Sequence, residues 1–340
     1  MLPAILGLSG PVLTAEERDF FADAKPAGFV LFARNVENKA QLRALTDSLR
    51  EIAGRDDLPI LIDQEGGRVA RLGPPEWPKF PAPWRFAELY EIAPISAIEA
   101  ARVNAEALGL MLAEVGINVD CLPLLDVRHE GAHDVIGDRA LGAEPMRVAA
   151  LGRAILEGLE AGGVIGVVKH MPGHGRARSD SHKELPVVDA SREELALDVA
   201  PFRALSDAPM AMTAHLLYPA WDADLPATVS PTIVGEVIRG TIGFHGLLMS
   251  DDVAMEALSG SLAERASAAI AAGCDLVLHC SGAIGESRQV VSALGEMTEP
   301  ARERLDRAMG RIAGKTSARD FDLLAKKRDA LLAMVPHETS

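Results

Sequence analysis

Short runs of aliphatic residues recur along the chain, and most of them are followed by a longer segment with helical periodicity. The eight runs are Ala4–Leu8, Gly28–Phe32, Leu58–Ile62, Ile117–Leu125, Val164–Val168, Met210–Thr213, Gly246–Met249 and Asp275–Leu278. The helical segments are Lys39–Ala53, Ser96–Val115, Pro145–Ala161, Ser191–Leu205, Ser230–Arg239 and Leu262–Ala272. Near-continuous apolar strands that alternate with helices are typical of a parallel sheet with both faces covered.

The number of these units favours one architecture. Eight strand–helix units within 340 residues fit a (β/α)8 TIM barrel better than an open sheet. An open sheet that binds a dinucleotide would carry a G-x-G-x-x-G loop after an early strand, and no such loop occurs there. We therefore predict a single α/β barrel domain over residues 1–340 that is irregular at its N-terminal strands. A charged helical tail, from about residue 300 to 340, is expected to pack on the outside.

Three helical segments begin at residues that are typical of helix N-caps. Ser191 is followed three positions later by Glu194, which is the pattern of a capping box. Ser230 precedes Pro231, and proline is favoured at the first helical position. Ser96 is the expected N-cap of the third segment.

The charge balance excludes several classes of partner. Lys and Arg number 34 and Asp and Glu number 49, so the formal net charge is −15. A chain this acidic has no basic face for nucleic acid or for an anionic membrane. The most apolar later stretch, residues 266–285, contains Asp275 and His279, which argues against a membrane span.

The N-terminal residues and the cysteines indicate the compartment. No Lys or Arg precedes Arg18, so the basic region of a secretory signal peptide is missing. Cys121, Cys274 and Cys280 are too few and too scattered for a disulfide framework or a zinc ribbon. We therefore expect a cytoplasmic protein with no nucleic-acid or membrane partner, and we also expect it to be a monomer.

Polar and ionisable residues gather where the predicted strands end. In a barrel, the carboxyl ends of the strands and the loops after them hold the functional residues. The residues at these positions are Asp63-Gln64-Glu65-Gly66-Gly67-Arg68, Asp126, Asp138, Arg139, Lys169-His170-Met171-Pro172-Gly173-His174-Gly175, Ser179-Asp180-Ser181-His182, Ala214-His215 and Ser250-Asp251-Asp252. One such charge could be an ordinary solvated loop residue, but several at equivalent positions indicate a polar site.

Two pairs in this set have a chemical interpretation and a structural alternative. Asp251 and Asp252 either cap the next helix or supply a carboxylate that acts as a nucleophile or electrostatic stabiliser. Asp180 and His182 are two positions apart in a loop, so the carboxylate could orient the imidazole for acid–base catalysis. The alternative for the second pair is an exposed turn.

The segment from His129 to His133 matches the H-E-x-x-H pattern of zinc proteases. That mechanism needs a helix, so that both imidazoles share one face and the glutamate acts on a zinc-bound water. Gly131 within the segment, and the strand before it, predict a loop instead. A zinc hydrolase that uses His129 and His133 is therefore a remote alternative.

Several motifs occur in a fixed order between about Asp63 and Met255. They are Ile62-Asp63-Gln64-Glu65-Gly66-Gly67-Arg68-Val69, Ile136-Gly137-Asp138-Arg139, Lys169-His170-x-Pro172-Gly173-His174-Gly175, Asp180-Ser181-His182, Met212-Thr213-Ala214-His215, Pro226-Ala227-Thr228-x-Ser230 and Ser250-Asp251-Asp252. This set resembles glycoside hydrolase family 3, most closely its bacterial cytoplasmic β-N-acetylglucosaminidase branch. The third and fourth motifs together are the most specific part. The resemblance implies retaining two-step hydrolysis of a β-linked N-acetylglucosamine, with no metal and no organic cofactor.

The resemblance also implies roles for individual residues. Asp251 matches the family's nucleophile, while His182 matches the acid–base residue of the branch, with Asp180 as its partner. The residues implied to bind substrate are Asp63, Arg139, Lys169 and His170, with Arg71 and His215 as additions. The branch acts on N-acetylglucosaminyl-1,6-anhydro-N-acetylmuramic acid and its peptide-bearing forms during cell-wall recycling.

Three further interpretations keep the barrel but change the activity. A β-glucosidase or β-xylosidase would use the same fold and mechanism on another sugar, although the D-S-H motif argues against it. A phosphorolytic enzyme would use phosphate in place of water. A non-catalytic sugar-binding barrel is disfavoured because Asp251, Asp180 and His182 are all present.

Overall fold

The computed structural model describes residues 1–181, 183–315 and 318–336, which contain a closed barrel of eight parallel strands. The strands are β1 (Leu2–Gly7), β2 (Pro26–Leu31), β3 (Ile60–Ile62), β4 (Val119–Asp120), β5 (Ile165–Met171), β6 (Met210–Thr213), β7 (Leu247–Asp252) and β8 (Leu276–His279). Each strand pairs with the next one in chain order, and β8 pairs with β1. All eight predicted runs form strands, so the predicted α/β barrel is confirmed.

Helices surround the barrel and form the tail. In the described ranges the α-helices are α1 (Ala15–Ala24), α2 (Lys39–Ala53), α3 (Trp84–Ile92), α4 (Pro94–Glu114), α5 (Pro145–Ala161), α6 (Arg192–Ala204), α7 (Leu262–Ala272), α8 (Ile284–Ser292), α9 (Glu299–Gly310) and α10 (Phe321–Leu332). A π-helical segment, Ile233–Thr241, occupies the position between β6 and β7. None of the helices in this part of the chain has both the length and the apolar character needed to cross a membrane.

Two of the three predicted helix starts are confirmed. Ser191 Oγ accepts from Glu194 N at 3.2 Å, and Glu194 Oε2 accepts from Ser191 N at 2.8 Å, which completes the capping box. Ser230 Oγ accepts from Ile233 N at 3.0 Å, although the helix that follows has π rather than α geometry. The prediction at Ser96 was wrong, because α4 begins two residues earlier at Pro94, whose fixed φ suits the first helical position.

Alternating residues of the strands divide the core into two layers. The residues in the barrel interior include Ile5, Val30, Leu61, Val119, Val167, Met212, Met249 and Leu278. The residues packed between the strands and the helices include Leu6, Ile60, Ile62, Val168, Ala211, Leu248 and Val277. Each fully buried aliphatic side chain stabilises the fold by about 2 kcal/mol, so the closed barrel is held by burial on both faces of every strand.

The C-terminal tail does not lie wholly on the outside. α10 packs along α4, as expected of an outer helix. α9 instead closes the amino end of the barrel, because its Leu305 and Met309 form one buried cluster with interior side chains such as Leu247. Arg304 of α9 also binds Asp275, which directly precedes β8, at 2.6 Å. The apolar face of α9 covers interior side chains that an open barrel end would leave in water.

The strand register shifts at two places near the carboxyl end of the barrel. One shift lies between Val168 and Met171 where β5 pairs with β6, and the other lies between Met249 and Asp252 where β7 pairs with β8. Another shift, between Leu2 and Ile5 of β1, is the irregularity expected at the N-terminal strands. Bulges re-aim side chains, and the first two lie within the motifs that carry Lys169 and Asp251.

Candidate active site

Three predicted site residues continue the inward-facing rows of their strands. Successive side chains of a strand point to opposite faces, so residues two positions apart share a face. The pairs of an interior residue and a site residue are Leu61 and Asp63, Val167 and Lys169, and Met249 and Asp251. These three strands, two of which have a register shift at this point, thus place two carboxylates and one ammonium at the carboxyl end of the barrel.

A buried network of opposite charges joins β3 to β5 at this end. Lys169 Nζ lies 3.0 Å from Asp63 Oδ1 and 2.7 Å from Glu65 Oε1. Arg139 donates from two guanidinium nitrogens to the two Glu65 oxygens, each at 2.8 Å. Arg71 Nη2 donates to Asp63 Oδ2 at 3.1 Å. Each carboxylate is thus paired with two cations, which compensates its removal from water.

The network keeps its members charged. Burial alone would raise the pKa of Asp63, but Lys169 and Arg71 hold that pKa well below its usual range. Burial likewise opposes ionisation of Glu65, and Lys169 and Arg139 lower its pKa. Burial alone would lower the pKa of Lys169, but Asp63 and Glu65 raise it well above the ordinary value. The site therefore offers fixed ionic acceptors and donors, the groups that bind sugar hydroxyl and acetamido oxygens.

Asp251 lies next to this network as an ionised carboxylate. Burial alone would raise its pKa, but the neighbouring His215 and His170 and the Asp252 N–H, which donates to Oδ1 at 2.8 Å, lower the pKa overall. Lys169 adds a smaller attraction of the same sign. A partly buried carboxylate kept ionised and held by one backbone N–H has the properties of a nucleophile.

Asp252 is oriented differently from its neighbour. Its Oδ1 accepts from Ala254 N at 3.0 Å and from Cys280 N at 3.2 Å, so it ties the end of β7 to the loop after β8. Neither residue caps the next helix, because the N-cap of α7 is Ser261. The structural alternative for the aspartate pair is therefore wrong, and only Asp251 continues the inward row.

His170 is oriented by a buried carboxylate from the loop after β4. Its Nδ1 lies 2.8 Å from Asp126 Oδ2, while Asp126 Oδ1 accepts from the backbone N–H groups of His170 and His174 at 3.2 and 2.6 Å. Burial would raise the pKa of Asp126, but His170 and His174 lower it to about 2. Asp126 thus fixes the imidazole orientation, as outer carboxylates do for functional histidines.

His215 is fully buried beneath the strand ends, with both ring nitrogens in use. Its Nδ1 lies 2.7 Å from Thr228 Oγ1 and its Nε2 lies 2.9 Å from the backbone oxygen of Asp252. A carbonyl oxygen only accepts, so Nε2 carries the proton. The structure therefore places His215 against the backbone that carries Asp251, where it supports the strand end.

The predicted acid–base pair belongs to the segment after β5. The backbone oxygen of Asp180 accepts from Lys183 N at 2.9 Å and from Glu184 N at 3.2 Å, which forms a turn. His182 lies outside the described residues. The structure thus describes Asp180 of the pair, and the role of His182 stays a prediction.

Two residues of this arrangement were among the polar strand ends but had no predicted catalytic or substrate-binding role. Glu65 connects Arg139 to Lys169, and Asp126 orients His170. The two-residue alternation beyond Asp63 would have indicated Glu65. Asp126 stood at a predicted strand end, but its partner could not be seen without the fold.

The segment that resembles a zinc-protease motif does not form a zinc site of that kind. It lies in turns rather than in a helix. His129 Nε2 lies 2.7 Å from Asp198 Oδ1, while His133 Nδ1 accepts from Val135 N at 3.0 Å, so the two imidazoles bind separate partners. Across residues 1–181, 183–315 and 318–336, no group of three His, Cys, Asp or Glu side chains is arranged to hold a metal ion.

Comparisons with known proteins agree with this geometry. The model of the glycosyl hydrolase family 3 N terminal domain matches residues 6–314. The chain is 38% identical over 284 residues to a beta-hexosaminidase of Bordetella avium, which covers 82% of this chain and 80% of that protein. It is 40% identical, with the same coverage, to a beta-hexosaminidase of Alkalilimnicola ehrlichii.

A solved structure has the same architecture over nearly the whole chain. The crystal structure of NagZ from Neisseria gonorrhoeae in complex with N-trifluoroacetyl-D-glucosamine superposes with a TM-score of 0.87 at 31% identity. The match covers 97% of this chain and 98% of that chain. The similarity therefore extends over nearly the whole barrel.

Proposed function

Because the chain belongs to glycosyl hydrolase family 3, we propose that it is a retaining exo-β-N-acetylglucosaminidase whose glycosyl-enzyme forms on Asp251. The relatives and the solved neighbour make it a β-N-acetylhexosaminidase. The observation that supports Asp251 most directly is its place in the inward row of β7, ionised and beside the Lys169 network.

The proposed reaction has two steps. In the first, an Asp251 carboxylate oxygen attacks the anomeric carbon, the bond to the leaving oxygen breaks, and the His182 imidazolium gives that oxygen a proton. In the second, neutral His182 takes a proton from water, the water oxygen attacks the anomeric carbon, and the bond to Asp251 breaks. Two inversions give net retention. Asp180 is the proposed partner that orients His182.

The charged network is proposed to bind the sugar. Asp63 can accept from hydroxyl groups, and Lys169 and His170 can donate to hydroxyl or acetamido oxygens. Arg139 has five N–H donors, and its contacts with Glu65 and with the Val135 oxygen engage three nitrogens without using all five. Arg71 pairs with Asp63 and lies within reach of the same ligand. His215 is proposed to support Asp251 rather than to contact the sugar.

The proposed natural substrate is N-acetylglucosaminyl-1,6-anhydro-N-acetylmuramic acid with or without its peptide, cleaved during peptidoglycan recycling in the cytoplasm by a monomer. Neither a metal nor an organic cofactor takes part in this proposal. Phosphorolysis is the second candidate for the breakdown step, because a neutral imidazole repels an anionic phosphate less than a carboxylate would.

The first experiment compares initial rates on a chromogenic β-N-acetylglucosaminide and the matching β-glucoside, with EDTA present. We expect release from the acetamido sugar only, and an early product in the β configuration by NMR. Release from the glucoside alone would contradict the proposed sugar, and an α product would contradict retention. Activity that EDTA abolishes would restore the zinc alternative.

A second experiment tests the substrate and the acceptor. Purified N-acetylglucosaminyl-1,6-anhydro-N-acetylmuramyl peptide is incubated with and without phosphate. Free N-acetylglucosamine in both reactions supports hydrolysis, whereas N-acetylglucosamine 1-phosphate in the second identifies phosphorolysis. No cleavage of this compound, with normal cleavage of the chromogenic glycoside, would overturn the proposed substrate while leaving the reaction intact.

A further inference from the structure

Asp198 of α6 joins two loops at the carboxyl end of the barrel. Its side chain is 1% exposed. Oδ2 accepts from Arg176 Nε at 2.6 Å, and Oδ1 lies 2.7 Å from His129 Nε2. Arg176 belongs to the loop after β5 and His129 to the loop after β4. One buried carboxylate therefore holds both loops to the same helix, and we refer to Asp198, Arg176 and His129 as the clamp.

The stretch around Arg176 has further fixed contacts. A Cβ added at Gly175 would lie 1.7 Å from the backbone oxygen of Val127, so the two loops pack backbone against backbone. His133 N donates to the Ala177 oxygen at 2.8 Å. Tyr218 Oη donates to the Gly173 oxygen, also at 2.8 Å. Residues 173–177 are thus held by contacts with three other parts of the chain.

The same loop is anchored again beyond the predicted acid–base pair. Val188 N donates to the Leu217 oxygen at 2.9 Å, and Leu217 N donates to the Pro186 oxygen at 3.0 Å. Asp180 and His182 therefore belong to a span that starts after one anchored stretch and ends at another. The clamp adds a charged side-chain contact where that span starts, since Arg176 binds Asp198 of α6 and also donates to the Glu194 oxygen at 3.2 Å.

We propose that Asp198, through Arg176 and His129, is a positioning group for proton transfer by the loop after β5. The inference rests on the proposed function, because it takes His182 as the acid–base residue. Proton transfer requires heavy atoms within hydrogen-bond distance, and an error of about 1 Å in placement costs about a hundredfold in rate. The clamp is built to prevent that error: its carboxylate is buried, it contacts both Arg176 and His129, and three separate elements contribute to it.

The test uses two substrates that differ in their need for an acid. An unactivated β-linked N-acetylglucosaminyl disaccharide needs a proton on its leaving oxygen, whereas 2,4-dinitrophenolate leaves without one. We expect Arg176→Met and Asp198→Asn to lower kcat/KM on the disaccharide at least about tenfold, within the range of general acid catalysis, and on the dinitrophenyl glycoside by less than about twofold. Arg176→Lys should recover part of the loss.

A matched control removes a different paired arginine. Arg153 of α5 binds Asp207 at 2.9 Å, and both side chains are exposed. Arg153→Met should leave kcat/KM unchanged on both substrates. Should Asp198→Asn not fold, Arg176→Met carries the test, because removing a half-buried side chain leaves Asp198 its contact with His129.

A double-mutant cycle separates positioning from a merely structural role. In a His182→Gln background the acid is already gone, so adding Arg176→Met should cause no further loss on the disaccharide. A further loss there, an equal loss on both substrates, or no loss in the single variant would each overturn the clamp proposal. If His182→Gln itself lowers kcat/KM equally on both substrates, the acid–base assignment fails, and the clamp proposal fails with it. If His182→Gln lowers kcat/KM on the disaccharide only, but Arg176→Met lowers it equally on both substrates, the clamp proposal alone is overturned.

Discussion

Lys169 Nζ lies 3.0 Å from Asp63 Oδ1, although the two residues are 106 positions apart in the sequence. The same ammonium lies 2.7 Å from Glu65 Oε1, so one buried cation separates the buried Glu65 carboxylate from the partly buried Asp63 carboxylate. At low effective dielectric, two adjacent carboxylates repel each other strongly and one of them would take up a proton. The ionised state of Asp63, and its use as an acceptor, therefore depends on Lys169.

Lys169→Met should destabilise the protein as well as inactivate it. Removing one partner of a buried ion pair leaves an uncompensated charge, which costs about 3–5 kcal/mol. The measurement is the free energy of unfolding in urea at pH 7. Lys39→Met is the control, because Lys39 pairs with Glu114 at an exposed position and such pairs contribute about 0–1 kcal/mol. Similar small losses in both variants would contradict the coupling inferred for the buried network.

Asp251→Asn and Asp252→Asn should differ sharply. Loss of a nucleophile lowers kcat by about 10⁴-fold or more, and Asp251→Asn should also abolish covalent labelling by a 5-fluoro-N-acetylglucosaminyl fluoride. In Asp252→Asn the amide oxygen can still accept from Ala254 N and Cys280 N, so the loss should stay within about tenfold. The label is located by mass spectrometry of peptides, and a label on Asp252 would reverse the assignment.

His174 should make the stability of the fold sensitive to mild acid. Burial and the neighbouring His170 lower the pKa of His174 to about 4. The unfolded chain therefore binds a proton between pH 6.5 and 4 that the folded chain does not, and stability falls as the pH falls through this interval. The expected loss relative to His174→Asn is on the order of 3 kcal/mol.

The measurement is the free energy of unfolding of wild type and His174→Asn at pH 7, 5.5 and 4. The free energy of unfolding of wild type, relative to that of His174→Asn, should fall steadily from pH 7 to pH 4. Parallel curves would show that His174 titrates in the folded state as it does in the unfolded chain.

Asp126 should also make the stability of the fold depend on pH, in a lower interval than His174 does. The cause is the opposite one, because the folded state favours the charged form of Asp126 and the neutral form of His174. Burial opposes its ionisation, but His170 and His174 bring its pKa down to about 2. Its contribution is complete above its ordinary pKa of 3.8 and is lost as the pH falls toward 2. Asp126→Asn should therefore lose about 2 kcal/mol relative to wild type at pH 7 and progressively less below pH 4. Unfolding in urea at pH 7, 4 and 3 checks this, and a difference that stays constant with pH would contradict it.

The sequence predicted those parts of the protein that depend on neighbours along the chain. Apolar runs such as Val164–Val168 and periodic segments such as Lys39–Ala53 determine strands and helices locally, and eight alternating units have few compact arrangements. Because the strands are parallel, the residues that follow them meet at one end of the barrel. The positions of Asp63, Lys169 and Asp251 at that end could therefore be expected before any contact was known.

Only the tertiary structure decided which of these residues are partners. Glu65 with Arg139, Asp126 with His170, and Asp198 with Arg176 are pairs between different strand–helix units. Closure of the barrel brings these side chains into contact, since neither local periodicity nor motif spacing specifies which charged side chains face each other.

The tertiary structure also decided two arrangements that local patterns did not indicate. α9 was expected on the outside, but the open amino end of the barrel buries its apolar face. Thr228 and the backbone of Asp252 engage both ring nitrogens of His215, which led to the proposal that it supports Asp251 rather than contacting the sugar. In each case the competing partner is distant in sequence, and burial and hydrogen bonding act only on groups that the fold has already brought together.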